Sequence, residues 1–222
     1  MAKDLAIILN NGSVNSAVAT ALAVQKYRPI LLHAEVAPQP GSRARAAYDL
    51  QAQHFKPYRE HALPMPFMAL LQPSANSAAT MLTAVDPRAA AHASSQVLRL
   101  LPLIAAAARY AVHYNATTIH VGLCVGSQGE ELARATEYLQ IWNEMLQMPC
   151  GQPDLEVVAP LLELEPWQVV DVGYQVNAPL DRTWSCAEEA NEPCGSCRGC
   201  RARDAAFQQA GKPDPMRAMR RG

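Results

Sequence analysis

The feature that most constrains the fold is a continuous apolar run at residues 5–9, Leu-Ala-Ile-Ile-Leu, which ends at once in Asn10, Asn11 and Gly12. A short run without polar alternation is typical of a strand buried on both faces of a parallel sheet. Residues 17–25 are rich in Ala, Val and Leu and favour a helix, which Ser16 is positioned to cap and Pro29 to stop. The segment therefore predicts a buried parallel strand, a tight turn and a helix.

The rest of the chain repeats this order. Further strands are predicted at residues 30–36, near 61–63, at 118–123 and at 156–159, and further helices at 43–55, 94–115, 130–148 and 165–174. Five prolines between residues 57 and 88 favour irregular loop around the strand near 61–63. We therefore predict an α/β fold with a doubly wound parallel sheet of about five strands.

The turn at residues 11–16 lies where a parallel strand leads into a helix N-terminus. Unpaired backbone N–H groups and the positive end of the helix dipole favour an anion there, and Gly12 permits close approach of a phosphate. The small polar side chains can donate further hydrogen bonds. A capped turn that binds no ligand would have the same sequence, so both interpretations are open at this point.

Four of the six cysteines lie in one short segment: Cys186, Cys194, Cys197 and Cys200. Zinc prefers four thiolates in a tetrahedron, and two-residue spacings allow a folded loop to direct adjacent sulfurs at one point. Because four thiolates leave no open coordination position, such a zinc ion would have a structural role. A redox Cys-x-x-Cys pair or reduced surface thiols are the alternatives.

Residues around this cluster suit a metal site. Arg198, Arg201 and Arg203 can partly offset the negative charge of four thiolates, and Gly195 and Gly199 relieve the tight backbone. The other two cysteines, Cys124 and Cys150, lack such spacing and are expected to be buried thiols, although Cys124 ends a predicted strand, where ligands collect in open α/β sheets.

Composition limits the partners. The chain has 19 Lys and Arg against 20 Asp and Glu, a formal net charge of -1, so no global electrostatic attraction draws it to nucleic acid or an anionic membrane. The N-terminal apolar run is too short for a membrane span and is flanked by an acidic residue, unlike a secretory signal. We therefore expect a cytoplasmic protein with reduced cysteines and no direct nucleic-acid or membrane contact.

Together, the first turn and the cysteine cluster resemble the 7-cyano-7-deazaguanine synthase family (QueC, also called ExsB), a branch of the PP-loop ATP pyrophosphatases. The segments that look like the family's zinc module are Trp184-Ser185-Cys186, Cys194-Gly195-Ser196-Cys197, Cys200, Arg203 and Ala206-Phe207. The family's loop pattern Ser-Gly-Gly-x-Asp-Ser falls on Asn11, Gly12, Ser13, Val14, Asn15 and Ser16, which retain only the first glycine and the final serine.

Two further regions correspond unevenly to the family. Arg99 falls at the arginine of a family Arg-Asn pair, but Leu100 replaces the asparagine. After the fourth predicted strand the family carries an Asp and a Tyr-Pro-Asp-Cys-Arg segment close to its substrate, whereas residues 125–131 of this chain read Val-Gly-Ser-Gln-Gly-Glu-Glu. The PP-loop and the substrate segment are therefore both degenerate.

The resemblance implies a ligase-type activity of queuosine biosynthesis: ATP activates the carboxylate of 7-carboxy-7-deazaguanine as an adenylate, ammonia attacks, and dehydration yields the nitrile. It implies Mg²⁺ with ATP, one structural Zn²⁺ per chain on the four cysteines, and a homodimer. It further implies that residues 11–16 bind ATP and that Arg99, Ser127 and Glu130 bind the deazapurine carboxylate. For Glu130 and Glu131 we slightly prefer another interpretation, as carboxylates that complement a helix dipole. No catalytic residue is assigned.

We divide the chain into a PP-loop-like nucleotide-binding domain at residues 1–183, a zinc-binding module with four cysteines at 184–211 and a flexible basic tail at 212–222, which could contact a partner's acidic surface. Two alternatives to the family reaction follow from the degenerate loop. A divergent enzyme would join an activated deazapurine, or a related carboxylate, to another amine, such as one on a partner protein. A catalytically inactive homologue would keep the fold and zinc as a binding protein or scaffold.

Overall fold

A computed structural model describes residues 3–36, 42–70, 95–127 and 129–218 of the chain. The strands are β1 (Leu5–Leu9), β2 (Arg28–Glu35), β3 (Arg59–Pro64), β4 (Thr118–His120) and β5 (Glu156–Val158). The helices are α1 (Val14–Lys26), α2 (Arg43–Phe55), α3 (Phe67–Leu70), α4 (Ser95–Tyr114), α5 (Glu130–Cys150), α6 (Pro166–Gln175), α7 (Arg198–Gln209) and α8 (Pro215–Ala218), with a 3-10 turn at Leu180–Arg182.

The five strands form one parallel sheet in the order β3-β2-β1-β4-β5. This confirms the predicted α/β fold and the number of strands. The order reverses between β1 and β4, and in open α/β sheets the carboxyl ends of strands at such a point form a crevice for ligands.

Alternate residues of the central strands pack on opposite faces of the sheet. Ile7 joins a large core with α4 and α5, whereas its neighbour Ile8 packs with Tyr48 and Ala52 of α2. Both isoleucines are fully buried, which requires helices on both faces. The doubly wound arrangement follows from this burial.

The main differences from the expected elements occur at their ends. Ser13, not Ser16, is the N-cap of α1: the Ser13 side chain accepts a hydrogen bond from the Ser16 backbone N–H, and Ser16 lies inside the first turn. The strand expected at residues 118–123 is regular only over Thr118–His120, although the Val121 N–H still donates to the Val158 carbonyl oxygen at 2.9 Å. Gly122 lies close to α1, where a Cβ would be 3.0 Å from the Asn15 carbonyl carbon.

Two other predictions concern the middle and the end of the chain. The irregular loop expected in the middle falls largely at residues 71–94, outside the described residues. The tail was expected to be flexible from residue 212, but Pro215–Ala218 form a short helix, and Asp214 before it is paired with Arg203. Among the described helices, none has both the length and the hydrophobicity that crossing a membrane requires.

Candidate functional site

The turn at residues 11–16, hereafter called the nucleotide loop after its predicted role, connects β1 to α1 at the carboxyl edge of the sheet. Gly12 has a φ of 79°, and a Cβ at this position would lie 2.5 Å from the carbonyl oxygen of Ala44. Both the backbone conformation and the close approach of α2 therefore require glycine here. Ser13 then caps α1, so the sequence sets the shape of the loop locally.

A buried asparagine directly before the loop was not anticipated from the sequence. Asn10 is only 2% exposed, and its side-chain nitrogen donates to Thr20 Oγ1 at 3.1 Å and to Gln51 Oε1 at 2.9 Å. Its side-chain oxygen accepts from the Gly12 N–H at 2.8 Å and from the Ser16 hydroxyl at 3.2 Å. In the sequence, Asn10 is a polar residue that directly follows an apolar strand, a pattern that predicts a turn but not a buried hydrogen-bonding side chain.

Several donors of the nucleotide loop are already used within the chain. Besides the Gly12 N–H, the Ser13 N–H donates to Asn11 Oδ1 at 3.1 Å and the Ser16 N–H donates to Ser13 Oγ at 3.3 Å. An anion at this loop must compete with these side-chain acceptors or bind through the remaining donors of the first turn. The loop is thus held in shape by its own polar side chains.

Two cavities meet at this loop. The first, of about 390 Å³, opens at the carboxyl ends of β1, β2 and β3 beside β4 and is mostly apolar, with Leu32, Ala34 and Leu100 in its wall. Arg99 of α4 also lines it, and Asn11 and Ser13 close its polar end. A mostly apolar cleft with a few convergent polar groups is typical of a small-molecule site.

The second cavity, of about 490 Å³, lies between the nucleotide loop and the cysteine segment. Asn11 and Ser13 line it as well, so they form a wall common to both cavities. Two aromatic side chains, Trp184 and Phe207, line its other side together with Cys186. Two separate compartments thus reach the same two loop residues.

Cys124 also lines the second cavity. Its thiol donates to the carbonyl oxygen of Leu164 at 2.9 Å, and burial raises the pKa of Cys124 to about 11. The group is therefore a neutral thiol at neutral pH and not an activated nucleophile. Cys124 and Cys150 were both expected to be buried thiols, but both are only partly buried.

The residues expected to bind substrate do not come together. Arg99 lines the first cavity, whereas Ser127 and Glu130 are absent from the linings of both cavities. Ser127 donates from its backbone N–H and its hydroxyl to Glu165 Oε1, at 3.0 and 3.1 Å. Glu130 is exposed in the first turn of α5 and pairs with Arg134, as a helix-start carboxylate does. The substrate role of these three residues stays a prediction.

The four clustered cysteines converge on one point. Their sulfur atoms all lie within 4.8 Å of one another, and Cys186 Sγ is 3.6 Å from Cys194 Sγ and 3.9 Å from Cys197 Sγ. Four sulfurs bound to zinc at about 2.3 Å stand about 3.8 Å apart in a tetrahedron. The donor set and its geometry therefore fit a zinc ion, which would be held by Cys186, Cys194, Cys197 and Cys200.

Backbone N–H groups surround these sulfurs. The N–H of Ala187 and of Cys200 point at Cys197 Sγ, and that of Cys197 points at Cys194 Sγ. Hydrogen bonds from Ser196 lower the pKa of Cys194 to about 6, and those from Ala187 and Cys200 lower the pKa of Cys197. These hydrogen bonds favour the thiolates of Cys194 and Cys197, which are the form that binds a metal, whereas burial raises the pKa of Cys200 to about 12, so a metal ion must displace the proton of that thiol.

The cysteine module at residues 184–211 packs on the same body as the nucleotide loop. Ala206 and Phe207 of α7 join a hydrophobic cluster with α1 and α6. The Trp184 N–H donates to the Gly12 carbonyl oxygen at 2.9 Å. A Cβ on Gly199 would lie 1.9 Å from the Ser185 carbonyl oxygen, so glycine is required where α7 begins. The module therefore lies at the carboxyl edge of the sheet, beside the nucleotide loop.

Arg203 has a different role from the one expected. It was expected to offset the charge of the thiolates, but its guanidinium bonds to both oxygens of Asp214, at 2.7 and 2.8 Å, and to Thr183 Oγ1 at 2.7 Å. Both members of the Arg203–Asp214 pair are 7% exposed. This pair was not visible in the sequence, because it depends on the tertiary position of α8.

The residues present do not fit a magnesium ion held by the protein. Mg²⁺ is bound by carboxylates and phosphates, yet the described residues that line the two cavities include no aspartate or glutamate. The family pattern has an aspartate at the position of Asn15. In this chain Asn15 lines the second cavity with a neutral amide. We derive no step from a protein-bound magnesium ion.

The family model and three relatives that match this chain all belong to one family. The family model described as "QueC: Queuosine biosynthesis protein QueC" matches residues 5–211. The protein named 7-cyano-7-deazaguanine synthase of Koribacter versatilis (strain Ellin345) is 26% identical over 217 residues, which are 95% of this chain and 92% of that protein. The protein of the same name from Acidobacterium capsulatum is 26% identical over 230 residues, 96% of each chain. The one from Methanothrix thermoacetophila is 33% identical over 116 residues, 51% of each chain.

Proposed function

Because the chain belongs to the QueC family of queuosine biosynthesis proteins, we propose that it uses ATP to activate the carboxylate of a 7-deazaguanine and forms a C–N bond with ammonia. A carboxylate oxygen attacks the α-phosphorus of ATP and pyrophosphate leaves. Ammonia then displaces AMP to give an amide, and loss of water from the amide gives the nitrile of 7-cyano-7-deazaguanine.

The observation that carries this proposal is the wall common to the two cavities. Formation of an acyl-adenylate requires that the α-phosphate and the carboxylate approach each other from two binding sites. Asn11 and Ser13 line both the apolar cleft of about 390 Å³ and the cavity of about 490 Å³ beside the cysteines. A nucleotide in the first and a carboxylate in the second would meet at these residues.

Each cavity suits one reactant. The first has the apolar walls that an adenine ring favours, and Arg99 provides a positive charge for phosphate. The second has Trp184 and Phe207, whose rings suit a flat deazapurine. The proposed ATP-binding residues are Asn11, Gly12, Ser13, Val14, Asn15 and Ser16. Ser127 and Glu130 stay predicted substrate residues, whereas Arg99, which lines the first cavity, would contact the nucleotide part of the adenylate instead of the free carboxylate.

The chemistry needs few acid–base groups in the protein. ATP supplies the leaving group, and the chain binds, orients and excludes water from the reactants. A structural zinc ion in the cysteine module would hold the wall of the second cavity in place. The reduced thiols that this requires are those of a reducing compartment, which we expect to be the cytoplasm.

Two other functions use the same fold. An enzyme that joins the activated carboxylate to a different amine stays an alternative, because residues 125–131 after β4 depart in sequence from the family's substrate segment. An inactive binding protein is favoured by the nucleotide loop, where Asn10 and Asn11 occupy backbone donors.

The deciding experiment measures AMP release by the metal-loaded chain with ATP, 7-carboxy-7-deazaguanine and ammonia. AMP and nitrile formation that depend on both the carboxylate and ammonia would support the family reaction. AMP formation with the carboxylate but without nitrile would favour the different amine. Absence of AMP release would overturn the proposal, and absence of ATP binding in a separate titration would then favour the inactive homologue.

We also propose a homodimer. Ile141, Met145 and Met148 lie on one exposed face of α5, spaced three and four residues apart, and Met148 is 87% exposed. Light scattering of the purified chain tests this proposal, and a monomer mass at micromolar concentration would contradict it.

A further inference from the structure

A second amide side chain is buried beside Asn10. Gln51 of α2 is fully buried, and its Oε1 accepts from Asn10 Nδ2 at 2.9 Å. Burying two amide side chains between a strand and a helix costs free energy unless every polar atom finds a partner. The other hydrogen-bond partners of Asn10 and Gln51 therefore show which parts of the chain the two amides connect.

One end of the pair contacts the nucleotide loop, and the other contacts the segment that leads into the cysteine module. Asn10 Oδ1 accepts from the Gly12 N–H at 2.8 Å. Gln51 Nε2 donates to the carbonyl oxygen of Arg182 at 3.0 Å. Two residues further along, the Trp184 N–H returns to the Gly12 carbonyl oxygen at 2.9 Å. Both polar groups of the Gly12 backbone are thus held by this closed circuit.

The segment at residues 182–184 is itself held by the helix of the metal site. Arg203 of α7 donates to Thr183 Oγ1 at 2.7 Å. The same helix is capped by Cys197, whose sulfur accepts from the Cys200 N–H. A metal ion on Cys197 and Cys200 would therefore fix the start of the helix that positions Thr183.

We infer that Asn10 and Gln51 are positioning residues that link metal binding in the cysteine module to the conformation of the nucleotide loop. The side chains must be amides, because each donates on one side and accepts on the other. An apolar residue would break the circuit at both contacts, and a carboxylate would lose the donor. The consequence for ATP rests on the proposed function, whereas the consequence for the loop itself does not.

The first test needs no substitution and no nucleotide. Hydrogen–deuterium exchange is measured for peptides that cover residues 10–17, with Zn²⁺ bound and after its removal by a chelator. We expect exchange in these peptides to become at least tenfold faster without the metal, while peptides from α5 stay unchanged. Unchanged protection of residues 10–17, or an equal increase in α5, would overturn the inference.

The second test breaks the circuit in the metal-loaded chain. Gln51→Met keeps a similar volume and removes both amide contacts. Thr20→Val is the matched control, because Thr20 is equally buried and also contacts Asn10, but lies outside the circuit. With Zn²⁺ bound, Gln51→Met should already exchange fast in residues 10–17, and removal of the metal should not increase the rate further. Thr20→Val should exchange slowly with Zn²⁺ bound and faster after chelation, as the unaltered chain does. Identical behaviour of the two variants would contradict the link. If Gln51→Met does not fold, Gln51→Glu, which keeps the shape of the side chain and removes the donor to the Arg182 carbonyl oxygen, takes its place in the same comparison.

The third test uses ATP. Two linked sites must affect each other by the same factor in equilibrium affinity. We expect removal of Zn²⁺ to weaken ATP binding at least fivefold, and saturating ATP to strengthen Zn²⁺ retention by the same factor. Equal ATP affinity with and without metal would overturn the inference. If the metal-loaded chain binds no ATP, the proposed function fails, and the exchange result still tests the link.

Discussion

The backbone N–H of Trp184 donates a 2.9 Å hydrogen bond to the carbonyl oxygen of Gly12. Trp184 lies two residues before the first clustered cysteine, and Gly12 is the residue of the nucleotide loop with a positive φ. One contact therefore joins the nucleotide loop to the segment that leads into the cysteine module.

Replacing Cys194 or Cys197 by serine should abolish stoichiometric zinc binding and lower the melting temperature. A four-ligand site loses both a thiolate and its closed geometry, and for α7 the Cys197 cap is lost as well. Zinc content and thermal unfolding of the purified variants measure the effect. Cys150→Ser is the control, because Cys150 lies outside the cluster. Full zinc content in both cluster variants would show that the ligands are wrongly assigned.

The double substitution Asn15→Asp with Ser13→Gly should increase ATP turnover. The described cavity linings contain no carboxylate, and an aspartate in the loop would add a ligand for magnesium with charge-assisted bonds of roughly 1.5 to 3 kcal/mol. We expect AMP formation at least tenfold faster than in the native chain. Ser13→Gly alone is the control for the altered N-cap. Nitrile formation by the native chain at a rate that the double variant does not improve would contradict the argument.

Stability should fall as the pH drops below neutrality. His120 is 6% exposed, and burial, with a smaller contribution from Lys26, lowers its pKa to about 4. The unfolded chain binds this proton near pH 6.5 and the folded chain only near pH 4, so the stabilisation is complete above pH 6.5 and is lost as the pH falls toward 4. Between pH 7 and pH 5 this histidine should reduce the free energy of unfolding by about 2 kcal/mol.

Urea unfolding at several pH values measures that dependence. Burial also lowers the pKa of His33, which acts in the same direction. His120→Phe should make the profile shallower between pH 5 and pH 7. An identical slope in His120→Phe and the native chain would show that His120 does not titrate as expected.

Asp214→Ala should destabilise the chain by roughly 3 kcal/mol or more, because it leaves the buried Arg203 guanidinium without its counter-charge. Asp181→Ala is the matched control: Asp181 pairs with Arg182 at the surface, and its loss should cost less than about 1 kcal/mol. Chemical denaturation gives both values. Equal effects of the two substitutions would show that the buried pair contributes no more to the free energy of unfolding than the surface pair.

The sequence allowed good prediction where local rules dominate. The apolar run at Leu5–Leu9 and the helix at Arg43–Phe55 appear with the predicted bounds, because burial of a short apolar run and helix periodicity are local signals. The four cysteines converge as their spacing predicted. The capping residue was wrong: Ser13 and Ser16 are both good caps, and only the backbone conformation distinguishes them.

Contacts between distant residues could not be predicted in this way. Asn10 and Gln51 are 41 positions apart, and each alone is an ordinary polar residue at the end of a strand or within a helix. Arg203 next to the cysteines suggested a counter-charge for thiolates, until the fold brought Asp214 to it. Hydrogen-bond partners of buried polar groups depend on tertiary packing, which hydrophobic periodicity does not encode.

The contact between Gly12 and Trp184 also sets an order of events during synthesis. Strand β1 and the nucleotide loop emerge from the ribosome first, and the segment that holds the Gly12 carbonyl emerges only after the whole sheet. A ribosome-bound chain therefore carries an unfinished loop until residues 182–184 are made and α7 has docked. A metal ion bound by the four cysteines would consequently act on the last stage of folding, after the sheet has formed.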